Sequence, residues 1–151
     1  MAETDSTQSL HWGKALVNGL YTWLIGFALY MLPAFVVAFK MGFEMGPKGI
    51  PQAEISRRIS GAIPPMYQEN FWLGIGYTIV VALLVFWRAR VVARGTGSSA
   101  VKHGLLVAAV PVLLSLVTLF MHRMDPSSLI DAVVFCAAGY IGGRTAKPPL
   151  S

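Results

Sequence analysis

VNGLYTWLIGFALYMLPAFVVAF, residues 17–39, contains no Asp, Glu, Lys or Arg. A helix that crosses a bilayer needs roughly 20 mostly apolar residues, because the hydrocarbon core is about 30 Å thick. The run is long enough for that and too long for an ordinary core strand. It decides the class: an all-α integral membrane protein. Tyr21 and Trp23 lie near its start and suit the headgroup level. Lys14 and Asn18 mark the entry. Pro33 sits inside the run, where its ring and missing N–H predict a kink and a freed carbonyl about one turn earlier.

Three more segments follow the same logic. Residues 71–87 form the second predicted span, with Trp72 and Trp87 placed to reach the two interfaces; about 15 residues of helix are roughly 22 Å. Asn70 is its expected N-cap. Residues 104–121 form the third, with Pro111 as a second internal proline. The fourth, 126–143, has a short apolar core. Asp125-Pro126 gives it a helix start and Gly142-Gly143 a stop. The expected architecture is four transmembrane helices in a single membrane domain, with residues 1–11 as a flexible tail. Within the loop at residues 40–70, residues 52–63 read as one short interfacial helix, with Ile55, Ile59, Ala62 and Ile63 on one face, Arg57 and Arg58 on the other, and Pro64-Pro65 ending it.

Composition agrees. Of 151 residues, 55% are hydrophobic and 13% charged, whereas soluble domains carry about 25% charged residues. A formal charge of +5 in a soluble protein would raise the question of nucleic acid. Here the cations lie in short segments between apolar runs, so no nucleic-acid partner is expected. Cys136 is the only cysteine, inside an apolar run, so no internal disulfide is possible.

Cytoplasmic loops carry the excess of Lys and Arg. Arg88, Arg90, Arg94 and Lys102 fall between the second and third spans, and Arg144 and Lys147 follow the fourth. Both segments share a side if four helices cross, which places both termini in the cytoplasm and residues 40–70 outside. The expected location is a bacterial inner (plasma) membrane. Arg88, Arg90, Arg94 and Lys102 are the candidate contacts with anionic lipid headgroups.

Few residues carry chemistry. Asp131 is the only acidic residue within a span; His122 and Arg123 across the turn are its candidate partners, and together they form a candidate intramembrane polar site. A structural role near the start of the fourth helix is the plainer reading. Ala138/Gly142 and Gly139/Gly143 stand four apart, a spacing that lets helix backbones approach. They fit close packing inside the chain or self-association with a second subunit. The stretch 94–99 lacks the Gly-Lys-Ser/Thr ending of a phosphate loop and reads as a connector. His11 and His103 precede the first and third spans without further ligands. No catalytic, metal or cofactor-binding set is expected. The sequence therefore favours a non-enzymatic accessory, assembly or oligomeric subunit of a membrane complex. The alternative is a small transporter or permease built around the proline-interrupted helices.

Overall fold

The computed structural model describes residues 12–94, 96, 99–121 and 126–146. Every regular element among them is helical: α1 (Trp12–Met45), a 3-10 turn (Gly46–Lys48), α2 (Gln52–Glu69), α3 (Phe71–Ala93), α4 (Ala100–Met121) and α5 (Pro126–Arg144). Among the described residues, three helical stretches are long and apolar enough to cross a membrane: Trp12–Lys48, Phe71–Ala93 and Ala100–Val117. The chain divides into two compact units, one of Met1–Leu24 with Val80–Ser151 and one of Ile25–Ile79.

Three local expectations are corrected. First, α1 does not stop near residue 39. It continues to Met45 through a stretch expected to be loop. Lys40 Nζ and Glu44 Oε1 lie 4.0 Å apart and the Phe39 and Phe43 rings stack at 6.2 Å, two i,i+4 pairs that support another turn. The helix also runs without interruption through Pro33. Second, Pro64-Pro65 does not end α2, which passes through both prolines to Glu69. A contact beyond them, made by Tyr67 on α1, secures the last turn. Third, the Asn70 side chain does not cap the helix that follows it. Its Nδ2 donates to the Met66 carbonyl at 2.8 Å, closing α2, while its backbone carbonyl accepts the Leu73 N–H at 2.9 Å.

The first unit is built on close backbone contact. On α4 and α5, Gly104 and Gly139 face each other. A Cβ at Gly139 would stand 2.6 Å from the Ala108 Cβ and 2.7 Å from the Gly104 carbonyl oxygen; one at Gly104 would strike the Gly139 carbonyl. Gly143 lies against Ala100 and Val101, where an added Cβ would stand 2.8 Å from the Ala100 carbonyl oxygen. The pairing runs backwards along the two helices, so they are antiparallel. Gly142 meets α3 instead: a Cβ there would stand 2.5 Å from the Phe86 carbonyl oxygen and 2.9 Å from the Ala89 Cβ. In lipid the hydrophobic effect does not draw helices together, so such small-residue contact must supply the association.

The Val and Leu residues of α4 do not all lie on an exposed face. Val107 is fully buried and forms a core with Ala15, Ala89 and Val92, with Leu106 packed alongside. In a membrane helix both faces are apolar, so composition does not separate core from lipid. Pro111, also buried, has no N–H for the Val107 carbonyl. That carbonyl points at Gly19 of α1, where a Cβ would lie 2.5 Å away. Only glycine's hydrogen fits there, and a Cα–H···O contact gives the freed carbonyl a weak partner.

The second unit holds its elements with side chains. Gly49, at φ +66°, turns the chain after the 3-10 segment in the left-handed region open to glycine. The Pro51 carbonyl then accepts from the Glu54 and Ile55 N–H groups at 2.9 and 3.1 Å, starting α2. No described side chain of α2 is fully buried.

Candidate functional site

The expected polar site is described only in part. Asp131 lies half-buried in the second turn of α5. His122 and Arg123, its candidate partners, lie outside the described residues, as do Asp125, His11, Lys147, the 1–11 tail and Gly95, Gly97 and Ser98 of the connector. Asp131 has interactions of its own and is not a free carboxylate. Among the described residues, no group of three or more His, Cys, Asp or Glu stands together. His103 is buried in the first turn of α4, with Nδ1 2.9 Å from the Ser99 carbonyl.

The four cations of the expected lipid-headgroup set separate into two pairs. Arg94 and Lys102 are exposed. Arg88 and Arg90 are half-buried on the last turns of α3. The Arg88 guanidinium donates to Asn18 Oδ1 on α1 at 3.4 Å and sits 4.9 Å from the Trp87 ring centre. Asn18 is itself fixed, its Nδ2 donating to the Lys14 carbonyl at 2.8 Å. Arg90 Nε is buried without a hydrogen-bond partner.

Of the packing residues, Gly139, Gly142 and Gly143 are buried and in contact with α3 and α4 of the same chain, while Ala138 is half-buried. The glycine edge of α5 is therefore filled within this chain.

Two features of the second unit were not singled out from the sequence. The first is an outward apolar edge on the latter part of α1: Phe35, Phe39 and Phe43 are exposed by 70%, 76% and 74%, with Leu32 and Val36 beside them. Their i, i+4, i+8 spacing was the available signal. The second is a tyrosine cluster. The Tyr67 hydroxyl on α2 donates to the Tyr30 carbonyl on α1, and their rings stack at 4.4 Å. Tyr77 of α3 packs edge-on to Tyr30 at 5.1 Å. Burial pushes the Tyr67 phenol above its ordinary value of 10.0, partly opposed by the Ala34 backbone N–H. The phenol thus keeps its proton, and remains a donor, across the neutral range. No sequence pattern foretold the cluster, because its members are scattered over three helices.

No protein-family model, curated protein or solved structure matches the chain.

Proposed function

We propose that the chain is a four-span protein of the inner membrane, with both termini cytoplasmic, acting as a non-enzymatic accessory or assembly subunit of a larger membrane complex. The fourth crossing is α5, whose 19 residues are about 28 Å long, close to the thickness of the hydrocarbon core. Arg94 and Lys102 meet anionic headgroups at the cytoplasmic face.

The supporting observation is the outward edge of α1. At 34 residues α1 is about 51 Å long. One crossing uses roughly 20 residues, so α1 carries more than a turn or two beyond what the bilayer needs. Phe39 and Phe43 fall in its last two turns, among the most exposed aromatic rings in the chain. Within the 17–39 span lipid can cover exposed apolar side chains, but Phe43 lies beyond it, where an exposed apolar ring favours a protein neighbour, and we place the partner there rather than on the glycine edge of α5, which is filled. The partner is a membrane protein with an apolar helix face at the outer end of its span.

Purification in mild detergent tests this. The wild-type chain is expected to bring down one stoichiometric partner, and Phe39→Ser with Phe43→Ser to lose it at unchanged melting temperature. A chain that purifies alone, or variants that keep the partner, would refute the reading. The alternative of a small transporter draws on Pro33 and Pro111 inside α1 and α4. Uptake by the reconstituted chain, abolished by Asp131→Asn at normal protein level, would favour it.

A further inference from the structure

A cation held near a membrane span is ordinarily answered by a carboxylate or a phosphate. In the second unit carboxylates do this: Glu44 meets Lys40, and Glu54 meets Arg57 and Arg58. In the first unit, among the described residues, no carboxylate pairs with Lys14 of α1 or Arg88 of α3. These two cations share a corner. The Arg88 guanidinium reaches Asn18 Oδ1 at 3.4 Å, a long bond that leaves most of its planar fork open. Its other contact is the Trp87 ring, 4.9 Å away. Asn18 Nδ2 donates to the Lys14 carbonyl at 2.8 Å, so the amide that meets Arg88 stands one turn from the exposed Lys14. From this corner an exposed apolar strip runs along each helix. On α1 it is Val17 and Tyr21, three and seven residues after Lys14; on α3 it is Leu83 and Val80, four and seven before Trp87.

We propose that Lys14, Asn18, Trp87 and Arg88 form a binding site for the phosphate of one anionic phospholipid, whose acyl chains lie along the exposed strips of α1 and α3. The guanidinium fork matches two phosphate oxygens, and the ammonium adds a point charge. The indole holds the fork at headgroup level. A soluble anion would use the cations and leave the strips unused. Arg88 is thereby set apart from Arg94 and Lys102, which are exposed and meet headgroups by charge alone. The site rests on the membrane reading, and on neither the side of the termini nor a protein partner.

The test is native mass spectrometry of the purified full-length chain in neutral detergent, titrated with phosphatidylglycerol or phosphatidylcholine. One phosphatidylglycerol per chain is expected to bind about thirtyfold more tightly than phosphatidylcholine, through two cations. Arg88→Gln should weaken it about tenfold, as loss of a charge-assisted hydrogen bond does. Arg94→Gln removes the same charge and should change binding less than about twofold. Asn18→Asp removes no cation but gives Arg88 a carboxylate of its own, and should weaken binding as much as Arg88→Gln. Melting temperatures in lipid-free detergent separate loss of the site from loss of the fold, and the comparison of the two lipids needs no variant. Equal binding of the two lipids, equal losses in Arg88→Gln and Arg94→Gln, or unchanged binding in Asn18→Asp would overturn the proposal. Displacement of phosphatidylglycerol by inorganic phosphate would assign the corner to a soluble anion and overturn the lipid. A chain that stays dispersed without detergent would instead refute the membrane reading beneath it.

Discussion

Two long helices each contain a proline, and the chain treats the two freed turns differently. At Pro111, in the first unit, the orphaned Val107 carbonyl is met by the backbone of Gly19, at a distance that leaves no room for a side chain. Near Pro33, in the second, α1 runs on without interruption and a tyrosine hydroxyl from α2 donates to the carbonyl of Tyr30, three residues before the proline. The same contrast holds for the glycines. Gly19, Gly104, Gly139, Gly142 and Gly143 all face backbone or Cβ atoms too close for an added methyl, whereas Gly42, Gly61, Gly74 and Gly76 have open space around them. Backbone contact has one solution and tolerates no added atom. Side-chain contact across a half-exposed helix is looser and separable. The first unit is accordingly a fixed seam, and the second a looser arrangement held by side chains.

The largest expected effect is at the seam. Gly139→Leu would drive a side chain into Ala108 and the Gly104 carbonyl, a backbone obstacle that cannot turn aside. It should cost about 3 kcal/mol or abolish folding, read as the melting temperature in detergent. A variant as stable as the parent would show the seam to be loose after all.

Next in size is Val107→Leu. Val107 is fully enclosed, so an added methylene should cost roughly 1–3 kcal/mol. Leu113→Val on the exposed side of the same helix should change stability by less than about 0.5 kcal/mol. Equal effects at the two positions would erase the distinction between a buried and a lipid-facing side of α4.

Smaller, and opposite in sign, is Gly61→Ala in α2. Nothing lies within 4 Å of the new methyl, and alanine's better helix propensity should stabilise α2 by about 0.5–1 kcal/mol. The measurement is hydrogen exchange of the α2 amides. The same change at Gly104 should accelerate exchange in α4. Matching signs at the two glycines would break the comparison.

The smallest expected effect is a pH dependence in α2. Arg58, and then Arg57, hold the Glu54 carboxylate below its ordinary value of 4.5. A depressed carboxylate contributes stability above its unfolded pKa and loses it as pH falls through the folded one. Exchange in α2 should therefore quicken on acidification below about 4.5. Salt should weaken the dependence, because the pairs are solvent-exposed. Exchange that quickens towards alkaline pH, after correction for intrinsic rates, would contradict this origin.

How much of this was legible in the sequence follows from which contrasts a membrane helix keeps. Length and the absence of charge announced the apolar helices, and the four-residue spacing of small residues on α5 marked an edge that the structure fills. The buried side of α4 was illegible, since Val107 and Leu113 are equally apolar and a lipid-facing position looks like a core one. Lys40 and Glu44 read as loop, though on a helix they form an i,i+4 pair. Pro64-Pro65 reads as a stop, yet a contact three residues or fewer beyond it carries the helix onward. That contact joins Tyr67 to Tyr30, a long-range pairing that no local pattern encodes.

The four-span membrane reading is tested most directly by thiol accessibility in intact cells. With Cys136→Ser as background, Lys48→Cys, Gly97→Cys and Pro148→Cys would each be exposed to an impermeant maleimide. The expected result is labelling of position 48 from outside, and of positions 97 and 148 only after the membrane is permeabilised. Labelling of position 148 in intact cells would put the C-terminus outside, remove α5 from the crossing helices and contradict the account.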